Sequence, residues 1–526
     1  MGNTKRYWSG LEELNKTEDF KEVLENEFPE TQSVDEFLSE DKISEANSGR
    51  RDFLKFMGFS VTAATLAACE TPVVKSIPYV IKPEEITPGV ANYYASTYYD
   101  GNNYANVLVK SREGRPIFIK PNRKAGSNGE INAQVNASVL GLYDAARLKE
   151  PMNGTASISW SDLDSKVTAA LSSASNPVVL TNTVVSPTKQ RAINELKAKY
   201  GANHVQFDSV SYSGIRTANN ASFGKNVIPT YAFNKAKVVV SFNADFLGTW
   251  LNSSAYSIDF AQTRKPEGKW MSKHFQLESN MSLSGTNADV RMAVRPSELR
   301  ELVAGLYGSL SGSGAKMALA GKETAIQKLV EALKANRGES IVIAGSNDPN
   351  VQMVVNSINE LLGNYGKTID LNEGLNMFQG DEADMSKLVA DMKAGRVDFL
   401  AVDSCNPAFN WINGSDFVEG LKKVKTSVAT SLFADETASN CTYIAPDHHQ
   451  LESWGDMELT KGRIDLVQPS IRNLFDSRSA GESFLVWSGN ATDYYTYLRQ
   501  TYNPGYSTAG MYTGNVWNEA VHNGYM

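Results

Sequence analysis

Short apolar runs alternating with helical stretches constrain this chain most. From Ile158 onward the runs are Pro177 to Leu180, Lys237 to Phe242, Ser340 to Ala344, Asp398 to Val402 and Val428 to Thr430. Between them the spacing predicts helices over Pro187 to Tyr200, Pro296 to Leu310, Lys322 to Ala335, Val351 to Leu362 and Met385 to Ala394. Strands separated by helices are the mark of α/β units with largely parallel sheets. Pro187 and Pro296 stand where a first helical turn tolerates a missing N–H.

The stretch ahead of this pattern reads differently. Tyr93 to Tyr104 is aromatic and ends in the turn composition Asp100-Gly101-Asn102-Asn103. Asn106 to Lys110 and Arg115 to Lys120 flank Ser111-Arg112-Glu113-Gly114, which predicts a β-hairpin with a glycine-containing loop. A small β-rich domain over 93–157 is therefore expected to precede α/β domains at 158–335 and 336–526, the last incomplete at its C-terminal end.

Charge sorts the front of the chain from the rest. The formal charge of −8 lies wholly in residues 1–49, where 13 acidic side chains face 5 basic ones; the remainder balances at 46 against 46. No basic surplus points to nucleic acid. Three cysteines, Cys69, Cys405 and Cys441, are too few for a disulfide scaffold and contain no C-x-x-C pair for zinc or an iron–sulfur cluster. Cys405 and Cys441 are expected as buried apolar thiols.

The acidic leader, 1–49, runs into Arg50-Arg51-Asp52-Phe53-Leu54-Lys55, which has the form of a twin-arginine export signal. Arg50, Arg51, Phe53, Leu54 and Lys55 carry it. Phe56 to Leu66 is too short and too rich in Ala, Thr and Ser to span a hydrocarbon core that needs about 20 apolar residues. It ends in Leu66-Ala67-Ala68-Cys69, the form of a bacterial lipobox, so Cys69 is the expected site of lipidation and the mature N-terminus. Residues 70–92, with Pro72, Pro78, Pro83 and Pro88, cannot form regular helix and are expected to run as an extended tether. Together these features predict an exported, lipid-anchored protein on the periplasmic face of the bacterial inner membrane.

Chemistry-bearing constellations are sparse. The loops Ala344 to Pro349 and Asp403 to Pro407 follow strands, where backbone N–H groups can meet a phosphate, yet no G-x-G-x-x-G or Walker spacing supports them, and plain turns are the better reading. Asp447, His448, His449 and Glu452 offer donors for a divalent metal or acid–base work, but adjacent histidines on an extended segment face opposite ways. A hydrogen-bonded structural pair is expected. His274, Arg264 and Arg291 could share a polar site, and Ser211 or Ser213 read as cap or turn hydroxyls. No catalytic, cofactor-binding or metal-binding residue is assigned.

Several segments carry a resemblance to a known family: Lys5 to Leu14, the internal twin-arginine signal, Ile77 to Gly89, Gly114 to Ile117, Leu142 to Asp144, Ser241 to Trp250 and Leu451 to Asp456. They resemble the twin-arginine-variant-translocated molybdopterin oxidoreductases and are similar to the large iron–sulfur subunit of alternative complex III, a membrane quinol oxidoreductase. The resemblance implies a molybdopterin-oxidoreductase-like fold in this part, iron–sulfur clusters carried beyond Met526 and electron transfer to a periplasmic acceptor. It also implies membrane subunits and a multihaem cytochrome c subunit as partners. The lack of any cysteine between Cys69 and Cys405 departs from the cluster-binding, metal-liganding members and matches a fold kept without the molybdenum cofactor. The expected role is a non-catalytic scaffold. The alternatives are a molybdopterin-dependent catalytic subunit of the polysulfide or thiosulfate reductase type, and a stand-alone lipoprotein acting as an assembly module.

Overall fold

The computed structural model describes residues 89–503 and 514–526; Arg50, Arg51, Phe53, Leu54, Lys55, Cys69 and most of the proline-rich tether lie outside the described residues. The first described element is a three-stranded antiparallel meander of Ala91–Tyr99 (β1), Tyr104–Arg112 (β2) and Arg115–Pro121 (β3). Only Glu113 and Gly114 separate β2 from β3, both at positive φ (52° and 75°). That is the backbone a two-residue hairpin turn of primed type requires, because its twist matches the strands it joins. Val107, Val109 and Ile119 bury one face against Val135, Leu142 and Leu451. The hairpin expected at 106–120 is present.

Further along the chain come the stubs Met152–Asn153 (β4) and Ala156–Ser157 (β5), then Pro177–Thr181 (β6) and Asn203–Gln206 (β7). Ile228–Tyr231 (β8), Val238–Phe242 (β9), Lys273–Glu278 (β10), Val290–Ala293 (β11), Ser340–Ala344 (β12) and Ile369–Leu375 (β13) follow. The last are Phe399–Asp403 (β14), Thr426–Ser431 (β15), Tyr443–Pro446 (β16), Gly455–Met457 (β17) and Asp465–Val467 (β18).

Two parallel sheets form the body. In the larger, seven strands stand in the order β5-β4-β16-β15-β14-β6-β7, and the five from β16 to β7 are parallel. Numbered by chain position those five read 2-1-3-4-5, so the direction of winding reverses between β6 and β14. The smaller sheet, β11-β10-β9-β12, is parallel throughout and reverses between β9 and β12. Strands β6, β9, β12 and β14 are buried along their whole length. Their alternate residues serve opposite faces: Val179 and Ala401 pack on one side of the larger sheet, Val178, Leu180, Leu400 and Val402 on the other. Helices therefore cover both faces, as parallel strands without a polar side demand.

The boundary expected between 335 and 336 does not divide these sheets. Strand β12 pairs with β9, with Ile341 opposite Val239, and β14 pairs with β6, with Leu400 opposite Val178. The chain starts the larger sheet, builds the smaller one between 238 and 344, flanked by the antiparallel pair β8 and β13, and returns to finish the first. Apolar periodicity marks each strand but carries no record of which strand it pairs with.

Helix ends follow from local chemistry. Pro187–Tyr200 starts at a proline whose preceding Ser186 accepts the Lys189 N–H at 3.0 Å, and it stops at Gly201 in the left-handed region. Pro349–Leu362 repeats the design with Asp348 as cap and Gly363 as terminator. Among the described residues no helix is long and apolar enough to cross a membrane.

Candidate functional site: a cleft at the carboxyl ends of the larger sheet

A cleft of about 680 Å³ opens where β6, β7, β14, β15 and β16 end. It sits over the reversal between β6 and β14, the place where open α/β sheets leave a crevice because successive connections run to opposite sides. The loop 182–186, the first turn of the helix Pro187–Tyr200, Asp208, 404–406 and 447–450 line it, joined by Asp100, Trp454 and Asp456 from elsewhere in the chain.

Its walls are acidic. Asp100, Asp208, Asp435, Asp447 and Asp456 border the cleft against one ammonium, that of Lys189. Lys189 is already committed: it forms an ion pair with the fully buried Asp403, whose other oxygen accepts from Thr430 Oγ1 at 2.8 Å. Asp208 accepts from Thr183 N–H at 3.0 Å and from Gly380 N–H at 2.8 Å, tying three segments together.

Two of the helices whose N-termini open on the cleft, Pro187–Tyr200 and Ala480–Trp487, are closed by carboxyl groups of the chain itself. Asp456 accepts from Thr188 N–H at 3.1 Å and Thr188 Oγ1 at 2.5 Å, and also from the hydroxyls of Ser186 and Tyr502. Asp447 accepts from Ala480 N–H, the first residue of Ala480–Trp487, at 2.9 Å, and from His448 N–H at 2.8 Å. Unpaired N–H groups and the helix dipole make such ends natural anion sites, and here carboxyl groups of the chain itself occupy them. Burial, with Asp403 nearby, raises the Asp447 carboxyl to about 7, and burial raises Asp435 and Asp456 as well. Cys405 points its thiol into the same surroundings, where burial and then Asp403 push it well above the ordinary thiol range, away from the thiolate a metal needs.

Other residues singled out in the sequence fall into separate structural roles. His448 bonds Ser477 C=O at 2.9 Å while His449 bonds Ser138 C=O at 3.2 Å, so the adjacent rings serve opposite sides. Glu452 pairs with Arg147. Arg264 and the His274 N–H share Asp289, the His274 ring bonds Gln276 at 3.0 Å, and the Gln276 amide donates to Glu278, the partner of Arg291; the three are linked in one polar network at β10 and β11 whose bonds satisfy the two carboxylates. Ser213 begins the helix Ser213–Phe223 and donates to Glu382 at 2.6 Å, and Ser211 accepts from Asn347 at 3.2 Å. The loop after β12 is held by those contacts as a turn, whereas 404–406 borders the cleft. Cys405 and Cys441 are both free thiols. Among the described residues no group of three or more His, Cys, Asp or Glu side chains is placed to hold a metal ion. Asp456 closes the Leu451 to Asp456 segment that carries the resemblance and Lys189 follows the helix start Ser186-Pro187, but nothing in the sequence assigns either of them to the cleft.

No family model matches the chain. A menaquinone reductase, molybdopterin-binding-like subunit of Nitratidesulfovibrio vulgaris is 24% identical over 511 residues, an alignment covering 84% of this chain and 72% of that protein. Among solved structures, acetylene hydratase from Pelobacter acetylenicus superposes with a TM-score of 0.54 at 11% identity, over 75% of this chain and 69% of the other. The fold is molybdopterin-oxidoreductase-like. The sequence resemblance therefore holds at the level of the fold, and the fold class expected from the alternating strands and helices is the one observed.

A molybdopterin-oxidoreductase-like fold raises the question of whether this cleft suits a pterin cofactor. Such a cofactor carries phosphate, and phosphate needs cations or free N–H groups. This cleft offers one ammonium, already paired, and the ends of its two longer helices are already filled by Asp456 and Asp447. The side chains present do not fit an anionic pterin dinucleotide.

Proposed function

We propose that this chain is a structural subunit of a quinol-oxidising respiratory complex of the alternative complex III type, in which the molybdopterin-oxidoreductase-like fold positions electron-transfer partners and carries no redox centre of its own. The observation that carries the reading is the Asp456 carboxylate bonded to Thr188 N–H, an internal anion at the helix end where a cofactor phosphate would be held. The likeness to a molybdopterin-binding-like subunit of a menaquinone reductase supports the quinone-linked setting. Iron–sulfur clusters that move the electrons belong outside residues 1–526, since three scattered cysteines cannot ligate a four-cysteine cluster. Membrane subunits and a multihaem cytochrome c subunit are the proposed partners. Export through Arg50 and Arg51 and acylation at Cys69 would hold the assembly at the periplasmic face of the inner membrane.

Affinity purification of the tagged full-length protein from solubilised membranes tests this reading. Co-purification with membrane subunits, c-type haem and quinol:acceptor activity is the expected result. A protein recovered without partners and without haem would contradict it and favour the stand-alone lipoprotein.

A further inference from the structure

We propose that the outer face of the β1–β3 sheet is a docking surface for an anionic lipid bilayer. Register puts the relevant side chains on one face: Tyr93 lies opposite Lys110, and Lys110 opposite Phe118, so a lysine stands between two aromatic rings across the three strands. One step toward the hairpin turn, Arg112 lies opposite Arg115 on the same face, and Lys120 reaches over the Tyr93 ring at 5.5 Å. Tyr93 is 49% exposed and Phe118 42%. These rings are not spilled core, because the core face of the sheet is the other one, where Val109 and Ile119 are fully buried.

The far half of the face is covered, with Thr97 donating to Leu466 C=O at 3.0 Å, so the exposed patch is confined to the hairpin half. Scattered exposed aromatics need no explanation. Two rings in register with four basic side chains, against the single carboxylate of Glu113 at the hairpin tip, are another matter. Ring bodies of this kind settle at headgroup depth while long cationic side chains extend to lipid phosphates. Charge complementarity thus selects an anionic bilayer as the occupant. The inference goes beyond the anchor at Cys69 and stands without it. An acylated Cys69 would supply the bilayer, since β1 is the first described element after it and the intervening chain reaches at most roughly 75 Å when extended.

The test uses the full chain carrying Cys69→Ser, so that acylation contributes nothing, in co-sedimentation with phosphatidylcholine vesicles with or without about one third phosphatidylglycerol. Binding to the anionic vesicles, its loss in high salt and its near absence on neutral vesicles are expected. Adding Lys110→Gln and Lys120→Gln should weaken it about twenty-five-fold, from roughly five-fold per basic residue near an anionic surface. Tyr93→Ser with Phe118→Ser should weaken it as well, whereas Lys265→Gln with Lys269→Gln, at an exposed turn elsewhere, should not. All these positions are at least partly exposed, and an unchanged circular dichroism spectrum confirms that each variant is folded. Equal binding to neutral and anionic vesicles, no binding, or the same loss from the Lys265 and Lys269 control would overturn the proposal. A face that instead meets a protein partner would give no vesicle binding.

Discussion

Arg147 and Glu452 meet at 2.6 Å with both side chains fully buried, joining the segment behind the small β-sheet to the loop after β16. Glu452 also accepts from His449 N–H at 2.8 Å and Leu474 N–H at 2.9 Å, and Arg147 gives a further N–H to Leu142 C=O at 2.9 Å. Desolvation raises the Glu452 carboxyl, but the Arg147 pair and the two backbone donors outweigh it and leave the group below its ordinary value.

Removing one member of such a pair leaves a buried, uncompensated charge. Glu452→Gln should therefore cost about 3–5 kcal/mol in denaturant unfolding. A depressed carboxyl contributes stability above its unfolded-state pKa and loses it as pH falls through the folded-state value. Wild-type protein should lose stability on acidification more steeply than the variant; parallel pH profiles would refute this role for the pair.

Asp447 gives the opposite sign. Its carboxyl is raised to about 7, so the folded protein favours the neutral form, and ionisation removes stability progressively between the ordinary carboxyl range near 4 and about 7. Both N–H groups that reach it bond the same oxygen, Oδ1, which an asparagine retains. Asp447→Asn should match the wild type in melting temperature near pH 4 and exceed it by pH 8. A constant difference across that range would show that Asp447 is not the titrating group.

Asp456→Gly should unsatisfy Thr188 N–H and the hydroxyls of Ser186, Thr188 and Tyr502, at a cost on the order of 1–3 kcal/mol. It should also free the helix end for an external anion. Inorganic phosphate is expected to raise the melting temperature of the variant and leave the wild type unmoved. A wild type stabilised equally by phosphate would mean that the cleft accepts anions despite its carboxylates.

Thiol chemistry checks the lipidation of Cys69. Cys405 and Cys441 are free, and burial raises both thiols. Native protein should react slowly with iodoacetamide, and denatured mature protein should titrate as two thiols per chain. A third would show Cys69 unacylated.

Much of the fold was legible because its signals are local. Ser340–Ala344 was bounded to the residue by its apolar run, and Pro187–Tyr200 was announced by the proline at its first turn. The interleaving of the two sheets was not legible, because β6 and β14 pair across a long excursion of the chain that neither strand encodes. The site divides the same way. The opposed directions of His448 and His449 follow from extended-chain geometry alone. Asp456 lies 268 residues from the Thr188 N–H it caps, and nothing near either residue announces the other. Glycine and proline report on their own turns; a carboxylate that fills a distant helix end reports on nothing until the chain is folded.

Molybdenum content of the native complex, measured per copy of this chain on material purified from membranes without chelators, tests the central claim most directly. A subunit whose cleft is closed by its own carboxylates should contain no molybdenum and release no pterin on denaturation, while iron is present in the complex. One molybdenum atom per chain, with a pterin released on denaturation, would contradict the scaffold reading and make this chain the catalytic subunit of a molybdopterin enzyme.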